Sequence, residues 1–375
     1  MSGLRSRSVP APGQAPLVAS NAAALLRRNA SEFPDAVAIK FGDRSWTHRE
    51  YFGEACRVAR LLDERLPSEG PRHVAVLLDN TPEYLFALGG AGLLGAAVVG
   101  LNHTRRGEHL LRDIEHTHCG LVITEPRHEV LLAPIAEALP PVMMSTRFAD
   151  DDDPAATLGE SLDDALASVS SEDLGLEPDL DAIWALIFTS GTSSAPKAVV
   201  CSQRRLLVTG NRMRMIMDLG PDDVGYVCMP LFHSNAVQVG WAPSIVTPCA
   251  VSLGRRFSAS AWLPDVRRYG ATYFNYTGKP LAYLLAQPEQ PDDADNPLRV
   301  AFGNEGSPEV VQTFGRRFDL EVIDAYGATE GGVAVNRDAE ERAGALGLAP
   351  DHVKVVDDDG AEKARAVLDA HGRVE

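Results

Sequence analysis

Five hydroxyl side chains, one glycine and one lysine lie in a stretch that directly follows a strongly apolar run, Ile183–Phe188. These residues are Thr189, Ser190, Gly191, Thr192, Ser193, Ser194 and Lys197. Hydroxyl groups, exposed backbone N–H groups and a cation on one loop are the groups that a polyphosphate needs. The stretch differs from the P-loop of kinases and GTPases, because Pro196 precedes the lysine and Ala198 follows it. It therefore predicts a phosphate-binding loop, with a Ser/Thr-rich surface turn as the alternative.

A second polar stretch, Asp324–Gly332, begins where a predicted strand ends. The carboxyl ends of parallel strands are where α/β folds bind ligands. Tyr326 can stack on a purine ring at this position. Glu330 beside a phosphate site can hold Mg²⁺, which prefers carboxylate oxygens and water. A strand-end turn with an incidental tyrosine and glutamate is the alternative.

Two further turns also follow predicted strands. In the first, Met229–Ala236, His233 stands between an aromatic and small polar residues and can border a carboxylate. A structural histidine is the alternative. In the second, Ala301–Pro308, glycines flank the turn and let a flat ring pass close to the backbone. Its alternative is a plain strand-to-helix turn capped by Ser307.

Strands and helices alternate along most of the chain, which predicts an α/β fold with parallel strands. Asn21 and Thr47 are the expected caps of the first two helices, and His73–Leu78 is an expected buried strand. The apolar run from 84 to 101 contains five glycines. Because glycine clusters terminate helices, it predicts a buried helix, a glycine turn and a strand, and a membrane span is the less favoured alternative. From residue 334 on, short strands and turns replace the alternation.

The charge and the cysteines narrow the range of partners and compartments. The formal net charge of −17 over 375 residues argues against general nucleic-acid binding and against broad adhesion to anionic lipid. Five scattered cysteines without a CxxC pair indicate reduced thiols in a cytoplasmic protein, with neither a disulfide frame nor a zinc–cysteine site. The first 19 residues are rich in Pro, Ser and Arg and lack the apolar core of a secretory signal.

Taken together and in this order, the four stretches resemble motifs of the adenylate-forming superfamily, the AMP-binding enzymes that include acyl-CoA synthetases, adenylation domains and luciferases. The stretch 188–197 is similar to the family's Tyr-Thr-Ser-Gly-Thr-Thr-Gly-x-Pro-Lys motif, with Ser193 and Ser194 where Thr and Gly are usual. The stretch 326–330 matches its Tyr-Gly-x-Thr-Glu motif throughout. The likeness begins near Asn21 and is greatest to the long-chain and very-long-chain fatty acyl-CoA synthetases and fatty acid transport proteins. Four stretches carry that last likeness: 283–288, 298–304, 314–318 and 325–331.

For the fold, the resemblance implies an α/β protein with two stacked αβαβα-type subdomains and a β-barrel-like third subdomain that is incomplete at the C-terminus. The expected division is a flexible lead at 1–20, a first α/β subdomain at 21–180, a second with the ATP-binding motifs at 181–333, and the start of the β-rich subdomain at 334–375. The family's ribose-binding Asp, its Arg hinge and its lysine-bearing C-terminal lid domain are not found. We therefore expect an N-terminal portion with little activity by itself.

For function, the resemblance implies ATP-dependent activation of a fatty, long-chain acid as an acyl-adenylate, followed by thioesterification to coenzyme A. ATP and Mg²⁺ are the implied cofactors, and coenzyme A is the co-substrate. The implied nucleotide-binding residues are Thr189, Ser190, Gly191, Thr192, Ser193, Ser194, Lys197, Gly303, Asn304, Glu305, Ala325, Tyr326, Gly327 and Thr329. The implied catalytic residues are His233, Lys197 and Glu330, and the implied magnesium ligands are Thr189 and Glu330. The implied acid-binding residues are His233, Val237 and Trp241.

Three interpretations stay open at this point. The first is the long-chain acyl-CoA ligase. The second keeps the adenylation but changes the acid or the acceptor, for example to an aryl acid or a carrier protein. The third is a non-catalytic nucleotide-binding fragment. In each case the expected partners are small molecules and no nucleic acid, with a homodimer and peripheral membrane contact through a lipid substrate as further expectations.

Overall fold

The computed structural model describes residues 13–189, 197–329, 334–336, 353–354, 356–357 and 359–363. Its strands are β1 Val37–Phe41, β2 Arg44–Thr47, β3 His73–Leu77, β4 Ala97–Gly100, β5 Cys119–Thr124, β6 Val142–Met144, β7 Glu160–Ser161, β8 Ile183–Thr189, β9 Lys197–Ser202, β10 Val224–Val227, β11 Ala250–Leu253, β12 Tyr273–Thr277, β13 Val300–Asn304, β14 Glu321–Gly327 and β15 Ala334–Asn336. Its α-helices are α1 Ala22–Glu32, α2 His48–Arg65, α3 Pro82–Leu94, α4 Glu108–His116, α5 Glu129–Leu132, α6 Leu162–Ser168, α7 Gln203–Met217, α8 Ala242–Val246, α9 Trp262–Tyr269, α10 Gly278–Leu285 and α11 Pro308–Phe318. A π-helical segment, Asn235–Trp241, precedes α8, and short 3₁₀ turns flank α5 at Pro126–His128 and Ala133–Ala138.

The strands form two sheets. Sheet I has seven strands in the order β7-β6-β5-β3-β4-β8-β9, and sheet II has eight in the order β15-β14-β13-β12-β10-β11-β1-β2. Neighbouring strands are parallel except in three antiparallel pairs, β1–β2, β8–β9 and β14–β15, each of which lies at a sheet edge. The predicted α/β class with parallel strands is therefore confirmed. The parallel order places the carboxyl ends of the central strands of each sheet together, as ligand binding in such folds requires.

Each sheet has one edge hairpin that is separated from its other strands in the chain order. This hairpin is β8–β9 in sheet I and β1–β2 in sheet II. Strand β1 pairs with β11 of sheet II, with Ile39 opposite Val251. Strand β8 pairs with β4 of sheet I, with Val98 opposite Ala185. The expected boundary between residues 180 and 181 thus does not separate the sheets, because strand partners are chosen in three dimensions and not by proximity in sequence. Beyond residue 333, the described residues contain β15 and one isolated bridge between Val356 and Glu362.

A helical layer connects the two sheets. Helix α2 packs against β1 and β2 of sheet II, while α3 contacts both α2 and the sheet I strands β4 and β8. Both expected caps are confirmed: Asn21 accepts a hydrogen bond from the backbone N–H of Ala24 (2.7 Å), and Thr47 forms a capping box with Glu50. Buried side chains from both sheets and from this layer form one contiguous core cluster.

Helix α3 is buried along its whole length, and its glycines have two different roles. Gly95 has a φ of 77° and ends the helix, as predicted. Gly89, Gly90 and Gly92 lie inside the helix, so the expectation that the whole cluster terminates it is wrong. A Cβ at Gly90 would lie 2.6 Å from Cγ1 of Val58 on α2, which shows that the helix glycines permit close packing. Among the described residues, no helix is both long and apolar enough to cross a bilayer.

Candidate active site

A cavity of about 830 Å³ opens at the carboxyl ends of β12, β13 and β14 in sheet II. Helix α7 and the π-helical segment form further walls, and the end of β8 closes one side. The lining residues that were predicted from sequence are Thr189, His233, Gly303, Asn304, Glu305, Ala325, Tyr326, Gly327 and Thr329. The fold therefore brings parts of all four motifs to one space, although the motifs are far apart in the chain.

The wall made by Gly303 and Glu305 depends on close backbone approach. Strands β12 and β13 are parallel, with Gly303 opposite Tyr276. A Cβ at Gly303 would lie 2.2 Å from the carbonyl oxygen of Tyr276, so no larger residue fits without backbone movement. Glu305 follows in a left-handed conformation with φ 65°, which turns the chain away from the strand. The side-chain oxygen of Asn304 is buried and has no hydrogen-bond partner among the described residues. The wall thus offers one unused acceptor.

Asp324 joins three of the strand ends that form the site. Its Oδ2 accepts hydrogen bonds from the hydroxyl of Tyr276 (2.9 Å) and from the backbone N–H of Gly306 (2.8 Å). Both donors are buried, and Asp324 itself is only 6% exposed. Because a carboxylate forms stronger hydrogen bonds than a neutral acceptor, this contact fixes the turn after β13 against β12 and β14. The sequence marked Asp324 only as the start of a motif and gave no sign of these partners.

Tyr326 lies near the end of β14 with its side chain at the cavity. The residue is 49% exposed, which is unusual for a large aromatic residue on a strand of this sheet. The preceding residue, Ala325, is buried, as the alternation of strand faces requires. The exposed ring gives the cavity a flat apolar surface, in addition to the backbone surface at Gly303–Glu305.

Ser234, Thr329 and Arg205 form a polar contact between three elements. The hydroxyl oxygens of Ser234 and Thr329 are 2.9 Å apart. Arg205 on α7 donates from Nη2 to the carbonyl oxygen of Thr329. All three residues line the cavity. Neither Ser234 nor Arg205 was predicted as a site residue, since their role depends on a partner that is far away in sequence.

His233 lines the same cavity and retains an exposed side chain. The cavity walls nonetheless remove much of the water around the imidazole, and this desolvation lowers its pKa below the usual 6.5. The negative charge of Glu305 opposes that shift. The ring is therefore neutral at pH 7 and can donate one hydrogen bond and accept another.

The π-helical segment that follows His233 determines which side chains reach the cavity. Asn235 anchors it by donating to the carbonyl oxygen of Tyr276 (2.9 Å). Gln238 and Val239 line the cavity. Val237 and Trp241, predicted to border the acid, are 2% and 1% exposed and lie in the core. Trp241 packs edge-to-face on Trp184, with ring centroids 5.5 Å apart. Their predicted contact with the acid stays a prediction.

The phosphate loop is described only at its two ends. Thr189 ends β8 and lines the cavity, and Lys197 begins β9 with an exposed side chain. These two residues are opposite one another in the antiparallel pair β8–β9. Ser190, Gly191, Thr192, Ser193 and Ser194 lie outside the described residues, and so does Glu330. The magnesium site predicted from Thr189 and Glu330 therefore stays a prediction.

The chain matches a family model and several curated relatives in sequence. The family model described as AMP-binding enzyme matches residues 26–369. The chain is 44% identical over 344 residues to the steroid-22-oyl-CoA synthetase of Rhodococcus jostii, covering 91% of this chain and 60% of the relative. It is 45% identical over 332 residues to the medium/long-chain-fatty-acid–CoA ligase FadD17 of Mycobacterium tuberculosis, covering 88% of this chain and 63% of the relative. The chain thus spans 60% and 63% of the length of these two curated relatives.

The fold is shared with solved structures whose sequences are more distant. The crystal structure of the anthranilate CoA ligase AuaEII in complex with anthranoyl-AMP matches with a TM-score of 0.80 at 19% identity. The match covers 93% of this chain and 68% of that chain. At this identity the likeness concerns the fold alone, and it confirms the architecture expected from the sequence motifs.

Proposed function

This chain belongs to the AMP-binding enzyme family, and from that premise we propose that it serves ATP-dependent activation of a fatty or related hydrophobic acid for transfer to coenzyme A. In the first step a carboxylate oxygen attacks the α-phosphorus of ATP, and the P–O bond to pyrophosphate breaks. In the second step the sulfur of coenzyme A attacks the acyl carbon. The C–O bond to AMP then breaks, AMP leaves, and the thiol proton passes to solvent.

The nucleotide end of the cavity has the features that an adenine ring needs. The unused acceptor of Asn304 suits the exocyclic amine of adenine, which is a hydrogen-bond donor. The exposed ring of Tyr326 can stack on one face of the base. The glycine at 303 leaves the backbone bare, so that the other face can lie against it. These three features support adenine between the turn after β13 and the end of β14.

The polar centre of the cavity suits the reacting groups. The hydroxyls of Ser234 and Thr329 can donate to oxygens of the α-phosphate, and the neutral imidazole of His233 can donate to the acid's carboxylate. Arg205 acts as a positioning residue, because it holds the backbone of Thr329. Catalysis here consists of alignment and stabilisation of developing charge, with no covalent bond to the protein. Mg²⁺ would neutralise phosphate charge when bound.

The remaining wall of the cavity is apolar and suits a hydrophobic acid. It contains Val208 and Met213 of α7, Val239 of the π-helical segment and Phe302 of β13. The cavity volume falls in the range of roughly 300–1,000 Å³ that small-molecule sites occupy. The named activities of the relatives, toward medium- and long-chain fatty acids and a steroid-22-oyl acid, point to the same class.

The observation that carries the proposal is the meeting of Asn304, Tyr326, Thr329 and His233 around one cavity with an apolar extension. It is tested by calorimetric titration of the chain with acyl-sulfamoyl-adenosines, which are stable analogues of acyl-adenylates. We expect the hexadecanoyl analogue to bind more tightly than the benzoyl analogue, because the longer group buries more apolar surface against this wall. Tighter binding of the benzoyl analogue would favour an aryl acid, and no binding of either would contradict the proposal.

The acyl acceptor needs its own experiment. Because little activity is expected of this portion by itself, pyrophosphate release from ATP and hexadecanoate is measured on the chain joined to a lysine-bearing C-terminal domain, with coenzyme A, with a carrier protein and with neither. We expect coenzyme A, and not the carrier protein, to accelerate turnover, because it removes the acyl group from AMP. Light scattering and vesicle co-sedimentation test the predicted homodimer and the predicted peripheral membrane contact.

A further inference from the structure

Three potential metal ligands meet at the carboxyl end of sheet I, and none of them lines the cavity described above. Asp79 follows β3, His103 follows β4 and His128 follows β5. Strand β3 lies between the other two, and all three are parallel. The three residues are therefore brought together by neighbouring strand ends, which is the position where α/β folds place ligands.

The potential ligand atoms of these side chains lie close to one another. One atom from each of Asp79, His103 and His128 lies within 4.8 Å of the other two. Oδ1 of Asp79 and Nε2 of His128 are 3.0 Å apart, and the two imidazole rings are nearly parallel at 5.5 Å. Nδ1 of His103 is buried and has no hydrogen-bond partner among the described residues. Two imidazoles and one carboxylate form a donor set that suits divalent transition metals.

The charges around the cluster favour a cation over an anion. Arg127 forms ion pairs with Asp79, Asp150 and Asp153, and Arg255 forms ion pairs with Glu125 and Asp150. The network thus contains four carboxylates and two guanidinium groups, and its net charge is −2 when all of them are ionised. The guanidinium group of Arg106, which donates to the carbonyl oxygen of His103, reduces the surplus to one. The network therefore holds a negative surplus beside largely buried imidazoles.

We propose that Asp79, His103 and His128 form a binding site for a divalent transition metal ion such as Zn²⁺. The ion takes the place of the hydrogen between Oδ1 of Asp79 and Nε2 of His128, and His103 supplies its unpartnered nitrogen. Ligand atoms about 2.1 Å from zinc at tetrahedral angles lie about 3.4 Å apart. The three ligand atoms lie within 4.8 Å of one another, so no pair needs to approach by more than about 1.4 Å. Water fills the fourth position.

Such an ion would link sheet I to the segment 229–233, which ends at the cavity-lining His233. The ring of His103 contacts Phe232 edge-on, with centroids 5.2 Å apart. Phe232 directly precedes His233, which lines the proposed acid site. Asn80, next to Asp79, donates to the carbonyl oxygens of Met229 and Gly254 and accepts from the N–H of Leu231. The ion would thus connect these two parts of the fold, and its binding does not depend on the proposed enzymatic function.

The test is titration of the tag-free, metal-free chain with Co²⁺, which has visible ligand-field bands when bound with low coordination number. We expect one tight site per chain, an increase in melting temperature, and competition by Zn²⁺. His103→Gln should weaken Co²⁺ binding by at least the roughly 10- to 100-fold that loss of an outer-shell partner causes. His109→Gln is the matched control, because His109 is exposed on the nearby helix α4 and should bind Co²⁺ like the wild type.

A second measurement on the wild type keeps the proposal testable if a variant fails to fold. Bound Co²⁺ should shift the exchangeable N–H protons of two imidazoles in the proton NMR spectrum. Spectra without shifted imidazole signals, or equal Co²⁺ affinity in the His103→Gln variant and the wild type, would overturn the proposal. Binding that weakens equally in the His103 and His109 variants would overturn it as well.

Discussion

Substitution of Gly303 by alanine tests the site most sharply at a single atom. The added Cβ would lie 2.2 Å from the carbonyl oxygen of Tyr276 and 2.7 Å from two of its ring carbons, whereas ordinary contacts are 3.4–4 Å. Tyr276 must therefore move by more than 1 Å. That movement strains the hydrogen bond from Asn235 to its carbonyl and the bond from its hydroxyl to Asp324.

The expected loss of stability has three contributions, namely overpacking and the loss of each of the two hydrogen bonds. Overpacking costs about 1–3 kcal/mol, loss of the neutral hydrogen bond about 0.5–1.5, and loss of the bond to the carboxylate about 1.5–3. We expect Gly303→Ala to lower the free energy of unfolding by roughly 3–7 kcal/mol if the strand relaxes little. Because Gly303 also lines the cavity, the same movement should distort its wall and weaken binding of the adenylate analogue.

Urea denaturation and calorimetric titration of the same variant measure the two effects. Gly220→Ala is the matched control, because a Cβ at Gly220 has no atom within 4 Å. It should change both quantities little. If Gly303→Ala were as stable as Gly220→Ala and bound the analogue like the wild type, the close approach of β12 and β13 at the site would be refuted.

Three further substitutions test the remaining walls of the cavity. Tyr326→Ala should weaken binding of the adenylate analogue by about 1–3 kcal/mol, the usual contribution of base stacking, while Tyr326→Phe keeps the ring and most of the affinity; equal losses would contradict stacking. Ser234→Ala removes the partner of the Thr329 hydroxyl and should weaken analogue binding by about 0.5–1.5 kcal/mol, whereas Ser168→Ala on the surface should have no effect in the same titration. The pKa of His233 is lowered on folding, so the unfolded chain binds more protons just below pH 6.5, and stability falls as the pH decreases through that value. His233→Gln should flatten that dependence in urea denaturation between pH 5 and 8, and an unchanged slope would show that the ring is not desolvated.

Local signals in the sequence were sufficient for many elements of the fold. The caps at Asn21 and Thr47 depend on residues three positions away, so a single window of sequence contains them. The pairing of β1 with β11 has no such signal, because Ile39 and Val251 are distant in the chain. For the same reason the interior glycines of α3 were interpreted as helix terminators, although their close neighbours belong to other elements, as Val58 of α2 does for Gly90 and Trp184 of β8 for Gly92.

The same difference between local signals and long-range contacts applies to the site residues. Tyr326 was predictable because its motif begins where a predicted strand ends, whereas Asn304 was implied by the family resemblance. Arg205 was not, since its contact with Thr329 joins two elements that the chain order separates. The π-helical segment added a second difficulty. Its wider turn changes which side chains face the cavity, so that Gln238 and Val239 line it while Val237 is buried.

The central claim is that one cavity holds both the adenine and the acyl group of an acyl-adenylate. A crystal structure of this chain with hexadecanoyl-sulfamoyl-adenosine tests it directly. We expect the adenine between the Gly303–Glu305 turn and Tyr326, the sulfamoyl group beside Ser234 and Thr329, and the acyl chain along α7. Density for the analogue at any other surface, with this cavity empty, would contradict the assignment.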